Sequence, residues 1–215
     1  MKDYQRAFID FALVHDVLRF GNFTLKSGRS SPYFFNTGLF NSGAKLAQLG
    51  RYYAQAIMDA RIEFDMLYGP AYKGIPLACT TAIALAEHDS RDVPYSFNRK
   101  ELKAHGEGGI TVGAPLDGRV LIIDDVISAG TSINESVRLI EAASARPAGV
   151  FLALNRQERG SGQCSAISEI ERRHCMKVHS IIAFDDLMKH LKQTPGMQHK
   201  LARMQEYAER YGELR

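Results

Sequence analysis

The chain has 215 residues, 45% hydrophobic and 24% charged, which is enough for one well-cored domain with additions or two small ones and excludes a disordered chain. Its net charge of +3 gives no argument for nucleic acid as a partner, and no apolar run reaches the length of a membrane span. Cys79, Cys164 and Cys175 are odd in number and lack C-x-x-C spacing, so neither a disulfide frame nor a zinc site is suggested; they fit a reducing compartment, and with no leader visible a cytoplasmic location is expected.

Tyr4, Phe8, Phe11, Val14 and Leu18 recur at helical spacing and predict a first helix of about four turns with a packing role. The next stretch, 20–36, reads Phe-Gly-Asn-Phe-Thr-Leu-Lys-Ser-Gly-Arg-Ser-Ser-Pro-Tyr-Phe-Phe-Asn. Phe23 and Leu25 alternate with polar residues as in a half-buried strand. Ser-Gly-Arg-Ser-Ser-Pro is turn chemistry, and an aromatic strand follows. Lys26 stands at the strand–turn junction, where its ammonium either reaches a site or is simply solvated. Phe34 and Phe35 suit a ring-binding face or plain core. Ser42 is placed to cap a helix carrying Leu46, Leu49, Tyr53, Ile57 and Ala60.

A strand is predicted over 62–68, followed by the loop Gly69-Pro70-Ala71-Tyr72-Lys73-Gly74-Ile75-Pro76 and an Ala-rich helix over 77–87. A Gly- and Pro-bounded turn at the carboxyl end of a strand suits an anion, and this one carries a lysine; an ordinary loop with one exposed lysine reads the same way. Residues 93–98 read as the next strand. It opens into 99–109, where Arg99, Lys100, Lys103 and His105 mix with three glycines. Low apolar content there predicts a mobile excursion, either a lid or a solvated loop. His105 has no second histidine at ligand spacing, so a metal ligand is not read from it.

The most informative stretch is Arg119-Val120-Leu121-Ile122-Ile123-Asp124-Asp125-Val126-Ile127-Ser128-Ala129-Gly130-Thr131-Ser132. Its aliphatic run is too short for an ordinary helix and fits a strand buried on both faces of a parallel sheet. Asp124 and Asp125 end the run, small residues turn the chain, and Ile133, Val137 and Ile140 resume at helical spacing. Backbone N–H groups at such a turn and the helix dipole beyond it favour an anion, and small side chains allow close approach. Neighbouring carboxylates at the strand's carboxyl end suit vicinal hydroxyls, so phosphate plus diol suggests a ribose 5-phosphate. Solvated acids followed by a Ser or Thr cap are the plainer alternative. Farther on, 148–154 is a buried strand ending near Arg156, whose planar fork can clamp a carboxylate. A short helix over 166–173, a last strand over 178–183 and helices over 187–191 and 197–211 complete the chain. Strands alternating with helices predict an α/β fold, a doubly wound parallel sheet.

Residues 119–132 resemble the phosphoribosyl-diphosphate (PRPP) loop of the type I phosphoribosyltransferases; neither the Gly-Lys-Ser/Thr of a P-loop nor a Gly-x-Gly-x-x-Gly is present. Residues 23–36 resemble the signature of the orotate phosphoribosyltransferases, and the resemblance extends over essentially the whole chain. It implies one domain over 1–215, with an N-terminal helical and hood region (1–61), an α/β core (62–183) and C-terminal helices (184–215). The implied reaction is transfer of phosphoribosyl from PRPP to orotate, with Mg²⁺ held mainly by PRPP and water near Asp124 and Asp125 and no direct protein ligand. The implied catalytic groups are Asp124, Asp125, Lys26, Lys73, Lys103 and His105. PRPP would meet these together with Tyr72, Arg99, Lys100, Val126, Ile127, Ser128, Ala129, Gly130, Thr131 and Ser132. Orotate would meet Lys26, Phe34, Phe35, Ser128 and Arg156. The family also implies a homodimer with shared sites. Rival readings on the same fold are a PRPP-sensing regulator and a purine phosphoribosyltransferase; the match over 26–36 disfavours the second.

Overall fold

The computed structural model describes residues 1–25, 28–103, 109–128, 130–159 and 164–213, apart from the side chains of Leu102 and Lys103. The chain opens with α1 (Asp3–Val14), the antiparallel strands β1 (Leu18–Thr24) and β2 (Ser30–Phe35), and α2 (Gly43–Ala60). Next come β3 (Met66–Gly69), α3 (Gly74–Asp89), β4 (Tyr95–Lys103), β5 (Gly109–Gly113), β6 (Arg119–Asp124) and α4 (Thr131–Ala142). It closes with β7 (Arg146–Asn155), α5 (Ala166–His174), β8 (Val178–Ala183), α6 (Phe184–Gln193) and α7 (Gln198–Tyr211).

β1 and β2 form a sheet of their own, while the other strands lie in the order β5-β4-β3-β6-β7-β8. All neighbours in the larger sheet are parallel except β4 and β5. Side chains alternate faces along a strand, and both faces of this sheet are covered. Leu67, Leu121, Ile123, Phe151 and Ile181 join the cluster that contains Leu49, Tyr53 and Ile57 of α2 and Leu77 and Leu85 of α3. Met66, Tyr68, Val120, Ile122, Val150 and Leu152 join the cluster containing Ile133, Val137 and Ile140 of α4 and Ile170 of α5. This is why the strands read as continuous apolar runs rather than alternating ones.

The predicted α/β architecture holds, with three corrections. The first helix stops at Val14; Asp16 has a left-handed φ of 56°, and Leu18 opens β1 instead of closing the helix. The strand predicted from residue 62 begins at Met66. Most consequentially, the excursion predicted from residue 99 is strand as far as Lys103, so Arg99 and Lys100 sit on β4. Their backbone continues a strand whose antiparallel partner, β5, was not anticipated: Phe97 pairs with Val112 and Lys103 with Gly109. A glycine-bounded run as short as Gly-Ile-Thr-Val-Gly carries little periodicity, and only the pairing makes it a strand.

In sequence order the parallel strands are β3, β4, β6, β7 and β8, but in space β4 lies on one side of β3 and the rest on the other. The winding direction therefore reverses between β3 and β6. In open α/β sheets, ligands bind outside the carboxyl ends of the strands at such a reversal.

Candidate active site

Both loops at the reversal carry charge. At the end of β6, Asp124 and Asp125 are nearly buried, 7% and 5% exposed. Asp124 accepts the Asp125 backbone N–H at Oδ1 (2.9 Å) and the Ser132 hydroxyl at Oδ2 (3.2 Å), so its carboxylate spans strand end and helix start. Burial, followed by repulsion from Asp125, pushes its pKa up to about 6. These donors and Lys73 oppose that rise but do not cancel it. Asp125 accepts the Val126 N–H at Oδ1 (2.9 Å), and at Oδ2 both the Thr37 hydroxyl (2.9 Å) and Lys73 Nζ (2.7 Å). From behind, Tyr53 Oη donates to the Asp124 carbonyl at 2.8 Å, locking α2 to the strand end.

Lys73 comes from the loop after β3. This loop turns so tightly that a Cβ on Gly69 would lie 2.2 Å from the Gly74 carbonyl oxygen, which explains a glycine there. The buried Asn98 of β4 accepts the Ala71 N–H at 2.8 Å and ties the loop to the neighbouring strand. Tyr72 is left 71% exposed beside Lys73, its ring aimed at solvent rather than core.

Val126, Ile127, Ser128, Gly130, Thr131 and Ser132 form the passage from β6 into α4. Gly130 is the N-cap, with φ 74°, a left-handed conformation that glycine adopts without strain. Among the described residues no side chain caps this helix, so neither Ser128 nor Thr131 plays the capping role of the plainer reading. The first-turn N–H groups of α4, unlike those at a capped start, remain open to an anion.

A second cluster sits at the carboxyl end of β7, one strand over. Arg156 lies 4.3 Å above the Tyr33 ring, its Nη2 2.7 Å from Glu158 Oε1 and 3.5 Å from Ser31 Oγ. Burial works against its charge, but Tyr33 and Glu158 outweigh burial and drive its pKa upward. Phe34 and Phe35, adjacent on β2, point to opposite faces. Phe35 is buried edge-on to Phe8, whereas Phe34 is half-buried, stacked with Phe23 under Arg19. Arg99, on β4, donates to the Gly109 carbonyl at 3.2 Å, and Lys100 is exposed.

Lys73, Asp124, Asp125 and Ser132 are thus joined by direct contacts, and Arg156 heads a separate cluster beside β2. Lys26, His105, Ala129 and the side chain of Lys103 lie outside the described residues. Thr37, Tyr53 and Asn98 were missed from the sequence, since each acts through a polar bond made across the fold and leaves no local pattern; Glu158 was missed although Arg156 is only two residues away, because the turn at Gln157 that brings them together carries no sequence signature. The donors suit a Mg²⁺ that keeps water and substrate oxygens rather than a closed protein cage, because two neighbouring carboxylates, one already paired to a lysine, supply few direct ligands.

The model of the phosphoribosyl transferase domain matches residues 37–163. The chain is 60% identical over 212 residues to the orotate phosphoribosyltransferase of Yersinia enterocolitica, covering 99% of this chain and 100% of that one. It superposes on the crystal structure of the Francisella tularensis orotate phosphoribosyltransferase with a TM-score of 0.88 at 42% identity, covering 96% of this chain and 100% of that one. A Mycobacterium tuberculosis orotate phosphoribosyltransferase in complex with PRPP shares the fold, with a TM-score of 0.62 at 19% identity over 86% of this chain and 98% of that one. Among the described residues, no helix is long and apolar enough to cross a membrane.

Proposed function

The chain belongs to the phosphoribosyl transferase family and, within it, to the orotate phosphoribosyltransferases; from this premise we infer that the crevice between the β3 and β6 loops is where it transfers the 5-phosphoribosyl group from PRPP to orotate, giving orotidine 5′-monophosphate and pyrophosphate. The observation that carries this assignment is the meeting of Lys73, Asp125, Asp124 and Ser132 at the reversal of the sheet.

Displacement at the anomeric carbon places positive charge on the ribose ring while the leaving pyrophosphate gains negative charge. Asp124 and Asp125 hold the ribose hydroxyls and stabilise the cationic ring. The open N–H groups at the start of α4, with Ser128, Thr131 and Ser132 beside them, receive the 5-phosphate. Lys73 and Tyr72 face the leaving pyrophosphate, joined by Arg99 and Lys100 and, on the family resemblance, by Lys26, Lys103 and His105. Lys73 begins paired to Asp125, so taking up the diphosphate means exchanging one anionic partner for another. Orotate binds with its carboxylate on Arg156 beside the Phe34–Phe35 segment and, on the family resemblance, meets Ser128 and Lys26 as well. Because the Phe35 ring is committed to core, the segment offers its backbone and the Phe34 ring. Mg²⁺, bound chiefly by substrate oxygens and water near Asp124 and Asp125, would neutralise diphosphate charge. The orotate nitrogen attacks directly, and no enzyme nucleophile is required. The active unit is proposed to be a homodimer in which Arg99, Lys103 and His105 serve the neighbouring chain's site, while Lys26, Lys73 and Lys100 serve their own.

Following orotate loss by absorbance, with PRPP and Mg²⁺ together and with each omitted, tests this function. Consumption should need both. Equal turnover of a purine base, or turnover without PRPP, would overturn the reading.

A further inference from the structure

The segment after Arg156 is held by the C-terminal end of the chain. Gln157 has a left-handed φ of 50°, and its N–H is held at 2.8 Å by Asn155 Oδ1, so the chain folds back and Glu158 meets Arg156. Glu158 Oε1 accepts Arg156 Nε at 2.9 Å, lies 2.7 Å from Nη2, and also accepts the Tyr33 hydroxyl at 3.3 Å. The backbone of this segment is pinned in turn: Glu158 bridges to Gly212, Arg159 N–H donates to the Tyr211 carbonyl (2.9 Å), and Glu213 N–H donates to the Gln157 carbonyl (3.0 Å). Tyr207 of α7 packs edge-on to Tyr33, closing the cluster.

A guanidinium has two edges that can donate in pairs. Glu158 Oε1 takes the Nε and Nη2 donors of one edge, which fixes the plane of the group; on this proposal the Nη1 side is what an incoming anion meets. Arginine has many rotamers, and an unheld fork would lose most of its directional value on binding. We infer that Glu158 is a positioning residue: it holds Arg156 so that the remaining edge meets the carboxylate of the acceptor base, and the Tyr211–Glu213 segment holds Glu158. This rests on the assignment of the acceptor's carboxylate to Arg156. It gives the C-terminal helix a part in acceptor selection.

The test compares Arg156→Ala, Glu158→Ala, Glu158→Gln and the double variant Arg156→Ala/Glu158→Ala, with thermal unfolding as a check on folding. Acceptors are orotate and uracil, the same ring without the carboxylate. Glu158→Ala should raise the orotate KM about tenfold, with the PRPP KM and kcat within about twofold. The isosteric Glu158→Gln, which keeps an oxygen to receive the Nε–H, should recover most of that loss. The double variant should be no worse toward orotate than Arg156→Ala alone, and the preference for orotate over uracil should collapse equally in both. A selective orotate defect in Arg156→Ala with wild-type kinetics in Glu158→Ala would overturn the role of Glu158 alone. Additive losses, or equal losses toward PRPP, would do the same. An unchanged orotate KM in Arg156→Ala would overturn the carboxylate assignment beneath it. If Glu158→Ala does not fold, Glu158→Gln decides: its discrimination should stay near wild type, and a loss as large as that of Arg156→Ala would sink the proposal.

Discussion

Lys73 Nζ lies 2.7 Å from Asp125 Oδ2, a contact that joins the loop after β3 to the loop after β6 across the point where the sheet reverses. The partners are unequal: the lysine side chain is 52% exposed and the aspartate 8%. Lys73 can therefore swing toward an anionic ligand at little cost, while Asp125 keeps the Thr37 hydroxyl and the Val126 N–H. Lys73→Met should lower kcat about 100-fold or more, since a cation aimed at the departing diphosphate is lost. Stability should fall by only about 1 kcal/mol because the pair is half in water. Adding Asp125→Asn should return that stability without returning activity. Urea unfolding of both variants, with steady-state rates, checks this; a double variant less stable than Lys73→Met would show that Asp125 is held mainly by its other donors.

Asp124 should set a stability that depends on pH. Its native pKa is raised to about 6, so between the unfolded carboxylate value near 4 and that pH the native state binds the proton more tightly. The favourable contribution is therefore complete below about pH 4 and lost as the pH rises through about 6. Asp124→Asn removes the titration. It should be more stable than the parent protein at about pH 8, by up to about 3 kcal/mol, and the difference should close on acidification toward about pH 4. Activity should fall at every pH, with kcat lowered more than PRPP binding is weakened, because the lost charge matters most as the ribose becomes cationic. A gain in melting temperature that did not depend on pH would place its origin outside this carboxylate.

Gly130 carries two constraints. Its φ of 74° is left-handed, and a Cβ there would meet Ile170 Cδ1 at 3.0 Å. Gly130→Ala should cost about 1 kcal/mol or more in stability. It should also raise the PRPP KM well above any effect on orotate, because an alanine strains the left-handed φ of the turn that leads into α4. Isothermal titration with PRPP, beside unfolding, separates the two effects; unchanged PRPP affinity would remove this turn from the phosphate site.

What the sequence made legible follows from where the information is stored. The β6–α4 unit could be read because strand, acidic pair, turn and helix are contiguous, and each link has a local signature in Val120 to Ile123, Asp124, Gly130 and Ile133. Arg156 was found for a similar reason, as a cation at a strand's end. Thr37 and Asn98 could not be read, because their meaning depends on Asp125 and Ala71, which only the fold brings near; Glu158 was hidden differently, since it meets Arg156 only through the left-handed turn at Gln157. The same holds for β5, a strand because β4 pairs with it, and for the core position of Phe35, which its neighbour Phe34 does not share.

The proposed sharing of sites between two chains can be tested by complementation. If Lys73 acts within its own chain and Lys103 in the neighbour's site, Lys73→Ala and Lys103→Ala should each be nearly inactive alone. In a mixed dimer one site then collects both lesions and the other neither. With random exchange about half of the dimers are mixed, and two-fold symmetry leaves about a quarter of all sites intact. Activity should climb toward that fraction on mixing, at a rate set by subunit exchange, which differently tagged chains would report independently. If the tags show exchange while activity stays at the level of the single variants, Lys103 serves its own chain and the shared-site arrangement is wrong.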